Sequence, residues 1–297
     1  MRREVRWERM FADELERACE AHPIVYLPYG LCEPHGPHNA LGMDALRAHS
    51  ACRIAAEIHG GIVAPPFFWN IHEIGQYGSW SERMIGNRRP WLTAYPPWMF
   101  FKSLLYHIRT VDMLEIKGAI LFTGHSGPHA KDMRRFLERI QPHVSVRLDY
   151  LIGLATQKDH FRDGLDDGGH AGRGETSLLW ATDPDCVDVS RLPDVGETGP
   201  RFALGGHNEK ASRRAGAAGV AEIAARMGDI GAVLLRAYEE HGPAGRAMSY
   251  LEVEDLWNDE ILPDVMTYAC MTEAGEEPAQ DSRWRANWDF PERAPED

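Results

Sequence analysis

Glu33, His35 and Asp44 fall within YGLCEPHGPHNALGMDAL, residues 29–46, where Gly and Pro interrupt any regular helix or strand. Glu33 and His35 are two residues apart, so an extended chain points both to one side. Asp44 follows nine residues after His35, where an Ala-rich segment begins. Its carboxylate has two readings there: a helix cap aided by the positive end of the dipole, or a third ligand beside Glu33 and His35. His125 stands in LFTGHSG, and His170 and Glu175 stand in GGHAGRGETS. A lone histidine at such a turn is more often a hydrogen-bonded structural residue, and a lone Glu175 reads as a first-turn acid held by the helix dipole. Together, however, the six residues fall at candidate strand ends or helix starts in three separate segments. A mixed His/carboxylate set suits Zn2+, Mn2+ or Fe2+ rather than Ca2+ or a thiolate cluster. If one carboxylate bridges, the set is large enough for two divalent ions, which would activate a water and polarise a carbonyl.

The elements that must position these residues alternate between strand and helix. Residues 23–30 (PIVYLPYG) are a short apolar run ending in Gly, a buried strand. Residues 43–61 are a helix stopped by Gly-Gly. Residues 61–70 (GIVAPPFFWN) are strand-like up to a Pro pair, and a helix starts near Pro96 or Pro97, since Pro suits a first turn. Residues 117–127 (KGAILFTGHSG) are a strand, 131–141 a helix, 144–155 a strand, and GETSLLWAT opens a further helix. Residues 209–242 form one long helix or two broken near Gly228. This alternation predicts a parallel sheet covered on both faces, with ligands beyond the carboxyl ends of its strands.

Composition narrows the function. The formal net charge of −13 over 297 residues disfavours nucleic acid and anionic membranes. The paired arginines at 88–89, 134–135 and 213–214 read as solvated charges. Five cysteines, odd in number and without a CxxC pair, fit a reducing, cytoplasmic setting better than a disulfide framework. The N-terminal stretch is charged and lacks an apolar signal core, and no run of about 18 apolar residues offers a membrane span. Residues 1–245 read as a single α/β domain. Residues 246–297 read as an extension packing on that domain or on a neighbouring subunit, with DSRWRANWDFPERAPED as an extended tail whose Trp284, Trp288 and Phe290 need cover.

The motif EPHGPHNALGMDAL resembles the creatininase-family pattern E-x-H-G-x-H-x-P-x-G-T-D. TGHSG is similar to that family's N-G-H-G-G turn, and HAGRGETS to its H-A-G-x-x-E-T-S segment. The resemblance covers roughly residues 20–240. It implies a three-layer α/β sandwich with a mostly parallel central sheet, two divalent metal ions per chain, a small-molecule substrate and a homo-oligomer, with a hexamer common. The family's activities are mostly hydrolytic: opening of a cyclic amide, removal of a formyl group, and peptide trimming. Hydrolytic C–C ring opening of an oxidised cyclitol is also among them.

Carried over by position, the resemblance implies that Glu33, Asp44 and His125 hold one ion and that His35 and Asp44 hold the other, with Asp44 bridging. His170 is the candidate proton donor. Where the family's creatinine-cleaving member has a Glu after the turn histidine, this chain has Gly127, and Glu175 is the natural substitute. Residues 75–91 replace another family segment and form part of the substrate wall, with Tyr77, Trp80 and Arg88 as candidate substrate contacts. These departures point to a substrate other than creatinine. The expected chemistry is attack of a bridging hydroxide on a carbonyl or amide carbon of a small, cyclic substrate, at a C–N bond other than a peptide bond. The altered turn also leaves open a single-metal lyase or isomerase, or a metal-binding protein without turnover. His38 reads as fixing the loop rather than binding a ligand. Cys32, without a specified His/Asn partner, is not read as a nucleophile.

Overall fold

The structure, a computed structural model, describes residues 3–72, 92–128, 130–153, 164–194, 202–243 and 246–272. Residues 75–91, with Tyr77, Trp80 and Arg88, lie outside the described residues, as does the tail from residue 273. Among the described residues, four parallel strands, β1 (Ile24–Tyr29), β2 (Ile62–Val63), β3 (Gly118–Thr123) and β4 (Arg147–Ile152), run in the order β2-β1-β3-β4. In β1 and β3 every position is buried, which is why both read as continuous apolar runs rather than alternating ones.

The strand period of two divides their side chains between two cores. Val25, Leu27, Tyr29, Ala119 and Leu121 join one cluster with Phe101, Leu104 and Ile108 of α3 (Pro97–Met113) and Phe136 of α4 (Ala130–Ile140). Ala18 and Cys19 of α1 (Ala12–Ala21) complete that side. Ile24, Tyr26, Ile120 and Phe122 meet the opposite layer: Ala48, Cys52 and Ala55 of α2 (Met43–His59), Leu178 of α5 (Arg173–Thr182), and Val220, Ile223 and Met227 of α6 (Arg213–His241). Helices therefore cover both faces of the sheet, and the fold is an α/β three-layer sandwich.

Several boundaries have local causes. β2 stops at Val63 because Pro65 and Pro66 follow, and proline has no N–H for a ladder. Pro97 opens α3 as its first residue. α6 runs unbroken through Gly228, capped by Ser212. A Cβ at position 228 would lie 2.6 Å from the His59 ring, so glycine there serves the contact with α2 rather than a break. After residue 245, α7 (Tyr250–Leu256) and the turns to residue 272 carry Val253, Trp257, Ile261, Val265 and Tyr268 into the first core.

The strand order sets the place of the site. From β2, at one edge, the chain crosses through α3 to the far side of β1 and enters β3. The direction of winding thus reverses between β1 and β3, and a crevice opens beyond the carboxyl ends of those two strands.

Candidate metal centre

The first turn of α2 fills that crevice. Gly30 follows β1 and Gly124 follows β3. A Cβ on Gly30 would lie 2.3 Å from the Ala45 nitrogen, and one on Gly124 would lie 2.1 Å from the Asp44 carbonyl oxygen. Only residues without a side chain permit helix backbone to rest on both strand ends at once. Asp44 is delivered in this way between Glu33, which follows β1, and His125, which follows β3. Its carboxylate is not a helix cap: the N-cap is Gly42, without a side-chain cap bond, and neither Asp44 oxygen receives a hydrogen bond.

The donors converge in three overlapping groups, each with ligand atoms within 4.8 Å of one another: Glu33, Asp44 and His125; His35, Asp44 and Glu175; and Glu33, His35 and His170. His125 Nδ1 lies 3.1 Å from Glu33 Oε1 and 3.3 Å from Asp44 Oδ2. His35 Nε2 lies 3.3 Å from Asp44 Oδ1 and 3.7 Å from both Glu33 Oε1 and Glu175 Oε2. Glu33, His35 and Asp44 are at most 1% exposed. The six residues singled out from the sequence are therefore neighbours, although up to 142 positions separate them in the chain (33 to 175).

Charge in this dry space is strongly coupled. Burial alone would raise the Glu33 carboxyl, but His125 and His170, with hydrogen bonds from His125 and His72, outweigh it and hold the group well below the usual carboxylate range. Asp44 is likewise lowered against its burial by His35 and His125. Burial would depress His35, yet Asp44, Glu33 and Glu175 push it up to about 9. His125 rises well above its ordinary value because Glu33 and Asp44 overcome its burial. His170 moves the other way: burial outweighs the carboxylates and favours the neutral ring.

A divalent ion fits this donor set. His35 Nδ1–H donates to the Glu33 carbonyl at 3.0 Å, which turns the Nε2 lone pair toward three carboxylates. A lone pair and three anions face one another stably only with a proton or a cation among them. His35 Nε2 and both Asp44 oxygens are buried without hydrogen-bond partners. An imidazole locked by its far nitrogen, with bare carboxylates opposite, is the arrangement of metal ligands and their supports.

Further residues complete the site. His72 Nε2 lies 3.2 Å from Glu33 Oε2, and the Arg47 guanidinium donates to Glu175 Oε1 at 3.0 Å. The sequence reading missed both. His72 stands just past the strand-like run 61–70, the same signal that marked His125. Arg47 stands three residues after Asp44, a spacing that puts both on one face of a helix. His38 Nε2 meets Thr176 Oγ1 at 2.9 Å and Asn208 Oδ1 at 3.1 Å, and Asn39 donates to the His35 carbonyl at 3.0 Å. The His38 contacts pin the Glu33–Asp44 loop onto Thr176 of α5 and onto Asn208, and the Asn39 bond braces the loop internally. Glu175 does accept at a helix start, from the Ala171 N–H at 2.7 Å, while it also faces the cluster. Burial pushes the Cys32 thiol up, away from thiolate character.

Comparison with known proteins gives a consistent result. The creatininase (creatinine amidohydrolase) family model matches residues 8–241. A creatinine amidohydrolase of Pseudomonas putida is 27% identical over 186 residues, covering 58% of this chain and 68% of its own. Among solved structures, a creatinine amidohydrolase superposes with a TM-score of 0.61 at 21% identity, over 76% of this chain and 96% of its own. A manganese form of creatininase gives 0.59 at 20% identity, over 81% and 100%. A variant described as the Zn-Zn type gives 0.60 at 20% identity, over 81% and 100%.

Proposed function

Because the chain belongs to the creatininase family of hydrolases, we propose that it is a metal-dependent hydrolase acting on a C–N bond, other than a peptide bond, in a small cyclic substrate. The observation that carries this reading is the buried convergence of Glu33, Asp44 and His125, with His125 Nδ1 3.1 Å from Glu33 Oε1 and 3.3 Å from Asp44 Oδ2. Glu33, Asp44 and His125 would hold a divalent ion, with His35 and Glu175 across the shared Asp44 carboxylate. The relatives support a divalent ion, since solved creatininases carry Mn and Zn-Zn descriptions. Such an ion, when bound, supplies a Lewis acid for a carbonyl oxygen and acidifies water.

The chain's own residues supply proton transfer and placement. His170 Nε2–H donates to the Pro34 carbonyl at 2.9 Å, so Nδ1 bears the lone pair and lies 3.8 Å from Glu33 Oε1. With its side chain 27% exposed, His170 borders solvent while Glu33 does not. As a neutral ring it takes a proton from the attacking water at Nδ1 and returns it to the leaving nitrogen. Its ring lies 4.4 Å from the His35 ring, which limits its rotation. The departures at Gly127 and across residues 75–91 support a substrate other than creatinine.

The test strips the protein with a chelator, restores Mn2+ or Zn2+, and assays ring opening on a panel of small cyclic amides that includes creatinine. Turnover should vanish on chelation and return with the ion. Turnover untouched by chelation would overturn the reading.

A further inference from the structure

Arg47 lies inside the carboxylate cluster rather than at its rim. It is 3% exposed. Its Nη2 donates to Glu175 Oε1 at 3.0 Å and to the Gly124 carbonyl, and stands 3.6 Å from Asp44 Oδ1. Its Nε and Nη1 are buried with no hydrogen-bond partner. A guanidinium has five donors and loses much by leaving them unmade. Here the carboxylates, rather than a full hydrogen-bond shell, hold it in place.

We propose that the Arg47 guanidinium is a built-in second cation: the centre takes one divalent ion, at Glu33, Asp44 and His125, and Arg47 replaces a second ion beside His35, Asp44 and Glu175. The inference rests on the metal-dependent reading above. Charge supports it first. Glu33, Asp44 and Glu175 bring three negative charges and the Arg47 guanidinium one positive. With the imidazoles counted as neutral, as metal ligands are, two negative charges remain, matched by a single divalent ion. A second would leave two positive charges in excess where water is largely excluded. Geometry agrees. Glu175 gives one oxygen to Arg47 and accepts the Ala171 N–H on the other. A second ion would compete for that oxygen and would keep only His35 Nε2 and the shared Asp44 carboxylate as uncommitted donors.

The experiment titrates metal-free protein with Mn2+, counts bound ions per chain by elemental analysis, and records the electron paramagnetic resonance spectrum. The expected result is one ion per chain with the six-line signal of isolated Mn2+, and any second ion bound at least about 100-fold more weakly. Arg47→Met should bind two ions with an exchange-coupled signal, and Arg47→Lys should remain at one. Two ions of similar affinity in the natural chain would overturn the inference, as would a folded Arg47→Met protein that still takes one. If Arg47→Met does not fold, the count and spectrum of the natural chain decide the question alone. Absence of any bound Mn2+ would instead remove the parent reading, and this inference with it.

Discussion

The Nδ1–H of His35 is committed to the Glu33 carbonyl, so the opposite nitrogen has to meet Asp44, Glu33 and Glu175. Glu33, His35 and Asp44 each belong to two of the donor groups, and Asp44 is the one common to the group with His125 and the group with Glu175. Asp44→Ala should therefore weaken Mn2+ binding by about 100-fold or more, read by titration of the metal-free protein; unchanged affinity would contradict the shared role. His170, to which we assign proton transfer, stands at the edge of the cluster. His170→Gln should lower kcat by about 100- to 10,000-fold with ion content unchanged. Glu33, His35, Asp44, His125, His170 and Glu175 were legible in the sequence because glycine and proline marked the chain reversals that carry them. Arg47 was not, because an arginine in an Ala-rich helix ordinarily reads as a solvated charge. Only the packing of α2 on the strand ends turns its face inward.

At the scale of elements, α2 is what assembles the centre, and the glycines beneath it make that possible. Gly124→Ala would push a methyl group against the Asp44 carbonyl oxygen, a backbone atom that moves only with the helix. The expected loss is about 3 kcal/mol of stability or more by urea denaturation, together with weaker Mn2+ binding. Native stability and affinity in that variant would show that the contact is not tight. The existence and order of the main elements followed from periodicity and from Gly/Pro punctuation. The stop of β2 before Pro65 and Pro66 was legible in the same way, whereas the choice between one helix and two at Gly228 was not, and α6 runs through it unbroken. There the deciding term was a neighbour, the His59 ring, that the segment alone does not display.

For the whole molecule, a parallel sheet covered on both faces was legible from the alternation of strands and helices. The strand order was not, since it depends on which way each crossover turns. That order creates the crevice between β1 and β3, so the place of the centre is a property of topology. Among the described residues no helix is long and apolar enough to cross a membrane. Acid stability offers a test away from the centre. His107, whose Nδ1 is 3.0 Å from the Tyr29 hydroxyl, is lowered by burial to about 4 from an ordinary 6.5. Between those values the unfolded chain binds the proton more readily than the folded one. Stability is thus fully present above pH 6.5 and is lost as the pH falls toward 4. Between pH 7 and pH 5 this residue should account for up to about 2 kcal/mol. His107→Gln should flatten the decline by that amount in urea titrations, and an unaltered slope would refute the assignment.

The most direct test of the account is a crystal structure of the Mn2+-loaded protein with anomalous data collected at the manganese edge. The account predicts a peak among Glu33, Asp44 and His125, with carboxylate and imidazole atoms at about 2.0–2.3 Å. A well-ordered cluster of these three side chains with no anomalous density among them, in crystals grown with saturating Mn2+, would contradict it.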